Sequence, residues 1–438
     1  MYTSRFPGSG RAHGCRLAVN ARRWLIGGGA VTAALIVWNL GNFAFFVLAN
    51  HRLSTGDFGL LQALLAATIV AFVPCGAFQM ALARLANPRG IAAVYGRAWR
   101  RAVGFSLSLA AVVALGLWVI GHVVDHLPIA PLATSILVVV PMVPLVLSLG
   151  RLQGSDRMLG FASSFGTMGA PRPLAFLVLA SFLPALYAGL VGSAVSMFLA
   201  ATIGAFLTRR DLIGTWTATV DPVLWRRFVR ALPPLFAGLV GVATLTNADV
   251  IAAELSLSKA AAGQFAGVAV LAKAVLIVPQ ALSLLLLPRV AARHAAGRPT
   301  GPLLAVGAGL AISGTLLAAL LCIPLSDVIV RILDAKYAPA AHLLPGFVAA
   351  TAPLCALTIL LNHHVARSAD RFVWAVGLIA VLHVGTLSII HAGPGAIIAV
   401  DAASGVASLV AHELIHGRDD DGMVASTLNL LRTRRGSR

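Results

Sequence analysis

Apolar stretches of about 20 residues or more follow one another along the whole chain, separated by short polar punctuation, and each is long enough to cross a bilayer as a helix. Twelve can be marked, near 24–50, 57–83, 102–124, 127–150, 158–181 and 183–207, then 231–253, 260–287, 301–325, 341–362, 372–390 and 393–415. The pattern predicts an all-α polytopic membrane protein. It also spells one hairpin twice, because Asn42, Pro74 and Arg84 recur at a single offset as Asn247, Pro279 and Arg289. Few residues between them are identical, so the evidence lies in the framing. Each copy runs from a polar start through an apolar helix and a short loop to a second helix with a late proline and a basic end. The expected organisation is two six-helix lobes, 24–207 and 231–415, related by an approximate parallel repeat. A linker at 208–230 joins them, with tails at 1–23 and 416–438.

Composition agrees with this reading. The 438 residues are 59% hydrophobic and 11% charged, with mean hydropathy +0.90, against about 25% charged in soluble domains. The net charge of +18 raises the question of nucleic acid, and the placement of the charge answers it. Arginines gather in the N-terminal tail, after the even-numbered spans and at the C-terminus. Only Arg52, Lys259, Arg331 and Lys336 fall in the opposite loops, and Arg172 and Lys273 lie inside spans. That alternation is a topology signal and places both termini in the cytoplasm. No nucleic-acid partner is expected, and membrane lipids are. Four cysteines, Cys15, Cys75, Cys322 and Cys355, impose no disulfide framework. No loop is long enough for a catalytic domain, which argues against an enzyme.

Charged groups inside the bilayer are few, and each invites a functional reading. Arg172 sits between Pro171 and Pro173 in the fifth span, where two missing backbone donors disfavour a regular helix. A broken helix bearing a cation is a candidate anion site, with interhelical packing as the alternative. Lys273 and Asp249 are candidates for a cavity and for a pair or outer gate. Their depths differ, so only a snorkelling lysine would join them. Asp401 is a candidate carrier of a coupling proton, or a helix contact beside Ser404. Asn39, Asn42 and Asn247 read as interhelical hydrogen-bond groups or ligand contacts. Arg84 and Arg289, at the basic ends of the repeated hairpins, are cavity-mouth candidates for an anionic head group.

His412-Glu413-Leu414-Ile415-His416 matches HExxH, in which two histidines one turn apart bind zinc and the glutamate activates water. A zinc site needs a third ligand. Downstream there is no His or Glu, and upstream only His363 and His364 are conceivable partners. The expectation is therefore no metal and no cofactor, with polar residues decorating a helix end.

The segment NFAFFVLANHRLSTGDFGLLQALL from Asn42 resembles the first hairpin of polysaccharide and oligosaccharide-lipid flippases of the multidrug/oligosaccharidyl-lipid/polysaccharide exporter superfamily. Asn247-Ala248-Asp249-Val250 and AGQFAGVAVLAKAVLIVPQALSLLLLPRV from Ala262 are similar to that family's seventh and eighth helices. The stretch AKYAPAAHLLPGFVAATAPLCALTILLNHHVARSADR from Ala335, with Tyr337 and Arg367, resembles its tenth helix and flanks. The resemblance implies two bundles forming a V-shaped cleft, lined by helices one, two, seven and eight, that opens alternately to each side. It makes Asn42, Asn247, Asp249 and Lys273 cavity residues, with Arg172 beside them. The chain departs from some members in having twelve spans instead of fourteen and few cavity cations.

The function this implies is movement of a lipid-linked sugar or polysaccharide precursor across a bacterial plasma membrane, without covalent chemistry and in the company of envelope-synthesis glycosyltransferases. The alternatives are a cation-coupled multidrug exporter of the same superfamily, relying on Asp249 and Asp401, a membrane zinc peptidase relying on HExxH, and a non-transporting scaffold. The arginine pattern carries its own test. An impermeant maleimide added to intact cells should label Arg52→Cys and leave Arg157→Cys untouched until the membrane is opened.

Overall fold

Why the apolar stretches become helices follows from the solvent: hydrocarbon offers no partner to a backbone N–H or C=O, so each span must satisfy its own. The computed structural model describes residues 9–83, 85, 88–123, 129–215, 219–277, 279–280, 282, 300–367, 370–390, 393–417, 422–424 and 426–427. They form α1 Ser9–Arg52, α2 Thr55–Ala83, α3 Pro88–Val123, α4 Ile129–Val139, α5 Met142–Gly154, α6 Met158–Thr167, α7 Arg172–Leu179 and α8 Ala185–Thr215. The second half contributes α9 Pro222–Ser256, α10 Lys259–Lys273, α11 Gly301–Leu333, α12 Leu344–Arg367, α13 Asp370–Ile389 and α14 Pro394–His416. Short 3-10 segments cover Ala274–Leu276 and Ala335–Leu343. No strand occurs among the described residues.

Ten helical stretches of the described residues are long and apolar enough to cross a membrane, and an eleventh joins them if the pair Ile91–Ala102 and Gly104–Gly116, bent by 48°, is one span. The chain is a multi-pass membrane protein. The fifth expected span is two short helices, α6 and α7, and proline explains the break. Pro171 and Pro173 have no N–H to continue the helix from α6. The expected linker is largely helical, since α8 runs on to Thr215 and α9 begins at Pro222.

Helix starts are written locally. Ser54 Oγ donates to Asp57 Oδ2 at 2.7 Å and accepts from Asp57 N at 3.1 Å, a reciprocal cap on α2. Asp221 accepts from Val223 N at 2.8 Å and opens α9 with Pro222 in its first turn. In the second repeat, α10 yields to a 3-10 turn after Lys273, ahead of Pro279. The missing proline donor leaves the carbonyl of Val275 without its α-helical partner.

Packing sorts the helices into two lobes. In the first, α1 lies on α6 and α7, while α4, α5, α6 and α7 gather on α8. In the second, α11 lies on α12, α12 on α14, and α13 between α9 and α14. Helix α2 crosses the seam and runs along α9 and α10, and among the described residues its pairing with α9 is the most extensive between any two helices. The outer faces are apolar: Leu107 and Leu115 of α3, Leu320 and Ile323 of α11, and Val381 and Leu382 of α13 are exposed where lipid would stand.

Described residues bring the lobes into contact at both ends of the seam. At the arginine-poor end, Asn50 donates through its side-chain nitrogen to Leu333 O at 2.9 Å, and the Tyr337 hydroxyl donates to Asn50 Oδ1. Lys336 Nζ donates to the carbonyls of Asn50 and Leu53 at the end of α1, where a cation meets the negative pole of the helix. Here Gly263 of α10 sits against the backbone of Thr55, leaving no room for a side chain. At the other end, Phe78 of α2 packs edge-on to Phe236 of α9 at 5.4 Å, and the Arg97 guanidinium lies 4.5 Å from the ring centre of Trp225. Between the two closures the lobes part. Gly263→Val should overpack the arginine-poor closure and lower unfolding stability in detergent by about 1–3 kcal/mol, read as a fall in thermal midpoint.

Candidate binding cavity

A cavity of about 420 Å³ opens in the seam, walled mainly by α1, α2, α9 and α10 with contributions from α7, α8 and α12. That volume lies within the range of sites for small molecules or head groups, about 300–1,000 Å³. The wall is mostly apolar. Asn42, Arg172, Asn247 and Lys273 all line it, and Asp249 stands directly behind Lys273.

Arg172 is the cation of the first lobe. It is the first residue of α7, and the break that precedes α7 aims it inward. Gly169 in that turn lies against the backbone of Trp38, and Gly41 of α1 against Gly169, contacts that a side chain at either position would abolish. This close approach brings Asn42 to the arginine. Arg172 Nη1 donates to Asn42 Oδ1 at 2.8 Å and Nε donates to Ser193 Oγ at 2.9 Å, and Ser193 donates on to Gly189 O at 2.6 Å. The guanidinium carbon lies 3.9 Å from the ring centre of Phe45, a cation–π contact. Every one of these partners is neutral. Among the described residues no carboxylate lies within ion-pair distance of Arg172, so its charge is held and not cancelled.

Lys273 is the cation of the second lobe and differs in kind. It ends α10, and its Nζ donates to Asp249 Oδ1 at 2.7 Å, with side chains 19% and 1% exposed. The length of the lysine spans the difference in depth. Asp249 Oδ2 has no hydrogen-bond partner. Further into the lobe, His383 of α13 and Asp401 of α14 lie within Coulombic reach of Asp249 and Lys273. The His383 ring bonds Ser404 Oγ through Nδ1 at 3.0 Å, and its Nε2 is 3.6 Å from Asp401 Oδ1. A buried line of ionisable groups thus runs from the cavity wall into the second lobe.

The asparagines divide. Asn42 bridges to Arg172 on another helix, whereas Asn247 donates to Ala243 O at 2.8 Å and to Thr246 Oγ1 at 2.9 Å, and Asn39 donates to Leu35 O at 2.8 Å, all within their own helices. Both Arg84 and Arg289 lie outside the described residues. Sequence reasoning missed Ser193, Gln62, Gln280 and His383. The lone histidine in the middle of an apolar span was a usable signal for the last, but the small polar residues gave none.

The HExxH residues lie away from the cavity, at the other end of the second lobe. His412 Nε2 is 2.9 Å from His364 Nε2, and the His416 ring stacks on His364 at 4.4 Å. Two stacked rings cannot both aim their nitrogens at one ion. Glu413 Oε1 accepts from Met423 N at 2.8 Å, which ties it to the tail as a backbone cap. No group of three or more His, Cys, Asp or Glu among the described residues is placed to hold a metal. The peptidase alternative therefore gains no support.

No protein-family profile matches the chain, and no curated protein matches it in sequence. Solved structures do match. The lipid II flippase MurJ in an inward closed conformation aligns with TM-score 0.66 at 13% identity, over 93% of this chain and 91% of that one. The eukaryotic MATE transporter AtDTX14 aligns with TM-score 0.63 at 14% identity, over 92% and 97%. An inward-facing multidrug resistance MATE family transporter of the MOP superfamily aligns with TM-score 0.59 at 12% identity, over 93% and 100%. The chain has the fold of the MOP superfamily, the exporter superfamily that its hairpins resemble.

The ion pair makes an asymmetric prediction. Lys273→Met strands Asp249 in a buried site and should destabilise by about 3 kcal/mol, while Asp249→Asn should cost less because Lys273 reaches the cavity. Thermal unfolding in detergent, with the double variant closing the cycle, measures both.

Proposed function

We propose that the chain is a flippase or exporter that moves a lipid-linked sugar, or a related anionic envelope precursor, by alternating access. The observation that carries this reading is a cavity in the seam between two lobes, with Arg172 presented from one lobe and Lys273 from the other. A head group of phosphates and sugars cannot enter hydrocarbon unaided. Here the uncancelled guanidinium takes a phosphoryl oxygen, a fork suited to such oxygens, and Asn42, Asn247, Gln62 and Gln280 serve the sugar hydroxyls. The lipid tail stays in the bilayer beside the apolar wall.

Each half of the site belongs to a different lobe, so rocking of the lobes would change the side to which the head group is open. No cofactor is needed, since nothing is made or broken. Asp401 with His383 is the place for a coupling proton, two steps behind the cavity. In this reading the chain lies in a bacterial plasma membrane with both termini cytoplasmic and works beside envelope-synthesis glycosyltransferases.

One observation sustains a second reading. Asp249 is an acid near the cavity, as a cation-coupled multidrug exporter requires, but Lys273 stands in front of it and would repel a cationic drug. The lipid-linked substrate is therefore preferred.

Reconstituted vesicles carrying a fluorescent polyprenyl diphosphate sugar test the proposal. Arg172→Ala and Lys273→Ala should each slow its appearance in the opposite leaflet about tenfold or more, a loss of about 1.4 kcal/mol. Full activity of the double variant, or accumulation of cationic dyes in place of lipid transfer, would overturn it.

A further inference from the structure

Glu254 is one of two glutamates in the chain, and the cavity does not use it. It stands near the end of α9 at the arginine-poor closure of the seam and is 6% exposed. Its Oε2 is buried without a hydrogen-bond partner. Three helices meet around this carboxyl group. A methyl group built on Gly59 of α2 would stand 2.9 Å from Glu254 Oε2 and 2.9 Å from Gly263 N of α10, so the acid is wedged where α2 crosses α10.

The charged groups facing it are Asp57 of α2 and Lys259 of α10, and neither is ion-paired to it. Further out are Asp334, Lys336 and Tyr337 around the 3-10 segment, and His51 and Arg52 at the end of α1. Deeper in the second lobe, Asp249 of α9 is paired with Lys273 of α10, and His383 of α13 and Asp401 of α14 stand beside each other behind that pair.

A carboxylate with one oxygen buried and unpartnered where helices cross loses hydration that nothing replaces, and a neutral acid avoids most of that loss. When the lobes part at this end, the same group meets water and ionises as an ordinary glutamate. We propose that Glu254 is a proton-binding site that locks the arginine-poor end of the seam, closed when protonated and released when ionised. The closed form then holds one proton more than the open form, so acid on that side favours closure and alkali favours opening. The proton returns to the side from which it came when the seam reopens. It therefore gates the cycle and does not drive it. The inference needs two lobes that part and is independent of the cargo.

Spin labels on Arg52→Cys and His342→Cys, exposed positions on opposite lobes beside the closure, report the separation by double electron–electron resonance. The measurement uses the full chain in nanodiscs, without cargo and with its four native cysteines replaced by alanine. One short distance should dominate in acidic buffer. A longer one should grow with alkali, the ratio of long to short rising by up to about tenfold per pH unit. Glu254→Gln and Glu254→Met should each hold the short distance at every pH, while Asp57→Asn keeps the response. A separation independent of pH in the parent chain overturns the proposal. So does a pH response that survives both substitutions of Glu254, or one that Asp57→Asn abolishes. Because no lipid-linked sugar is present, none of these outcomes bears on the flippase reading.

Discussion

A cation carried into hydrocarbon must be paired, hydrogen-bonded or wetted, and on insertion scales it otherwise costs about 2.5–3.5 kcal/mol. The chain meets this constraint twice, in opposite ways. Lys273 is matched to a carboxylate, Asp249, at 2.7 Å. Arg172 is matched to dipoles and an aromatic face, Asn42, Ser193 and Phe45, which hold it in place without neutralising it. The contrast gives the cavity its chemistry. The wall is mostly apolar, with one guanidinium held by neutral partners and one lysine held by its aspartate, and the proposed anionic cargo rests on that arrangement.

Both cations owe their positions to a broken helix. Pro171 and Pro173 separate α6 from α7 and leave Arg172 at a helix start, while Pro279 follows the 3-10 turn that ends α10 at Lys273. The breaks are acceptable at depth because they line a cavity, where irregular backbone can be tolerated. Helix α2 then holds the two halves together. Its apolar side serves both closures: Phe58 sits beside Tyr337 at one end, and Phe78 sits among Phe228 and Phe236 at the other. Among the described residues the lobes thus touch above and below the cavity. The arginine-poor closure is built on polar groups, Asn50, Lys336, Tyr337 and Glu254.

Much of the architecture was legible because membrane helices are specified by local composition. Length and apolarity alone mark the spans, and the repeat of Asn42, Pro74 and Arg84 marks the two lobes. The prolines around Arg172 gave notice of a broken fifth span. Less visible were the partners. Asn42 and Asn247 occupy equivalent places in the repeat, yet one reaches Arg172 and the other turns back to Ala243 and Thr246. Nothing in their local sequence distinguishes them, because the difference arises from what stands opposite each. His383 and Ser193 escaped notice for the same reason, being single polar residues whose significance comes from a neighbour on another helix. The HExxH letters carried no zinc expectation for want of a third ligand, and what they do instead became visible only in three dimensions: Glu413 caps a backbone turn and His412 faces His364.

By itself, then, the sequence determined that the chain crosses a membrane many times, in two like halves, with a handful of charges that had to find company inside it. Tertiary structure alone decided which company. Pairing across helices depends on the rotation and depth of each span, and these follow from close approaches such as Gly41 to Gly169 and Gly263 to Thr55. Such contacts join residues far apart in the chain, and no local pattern of hydropathy encodes them.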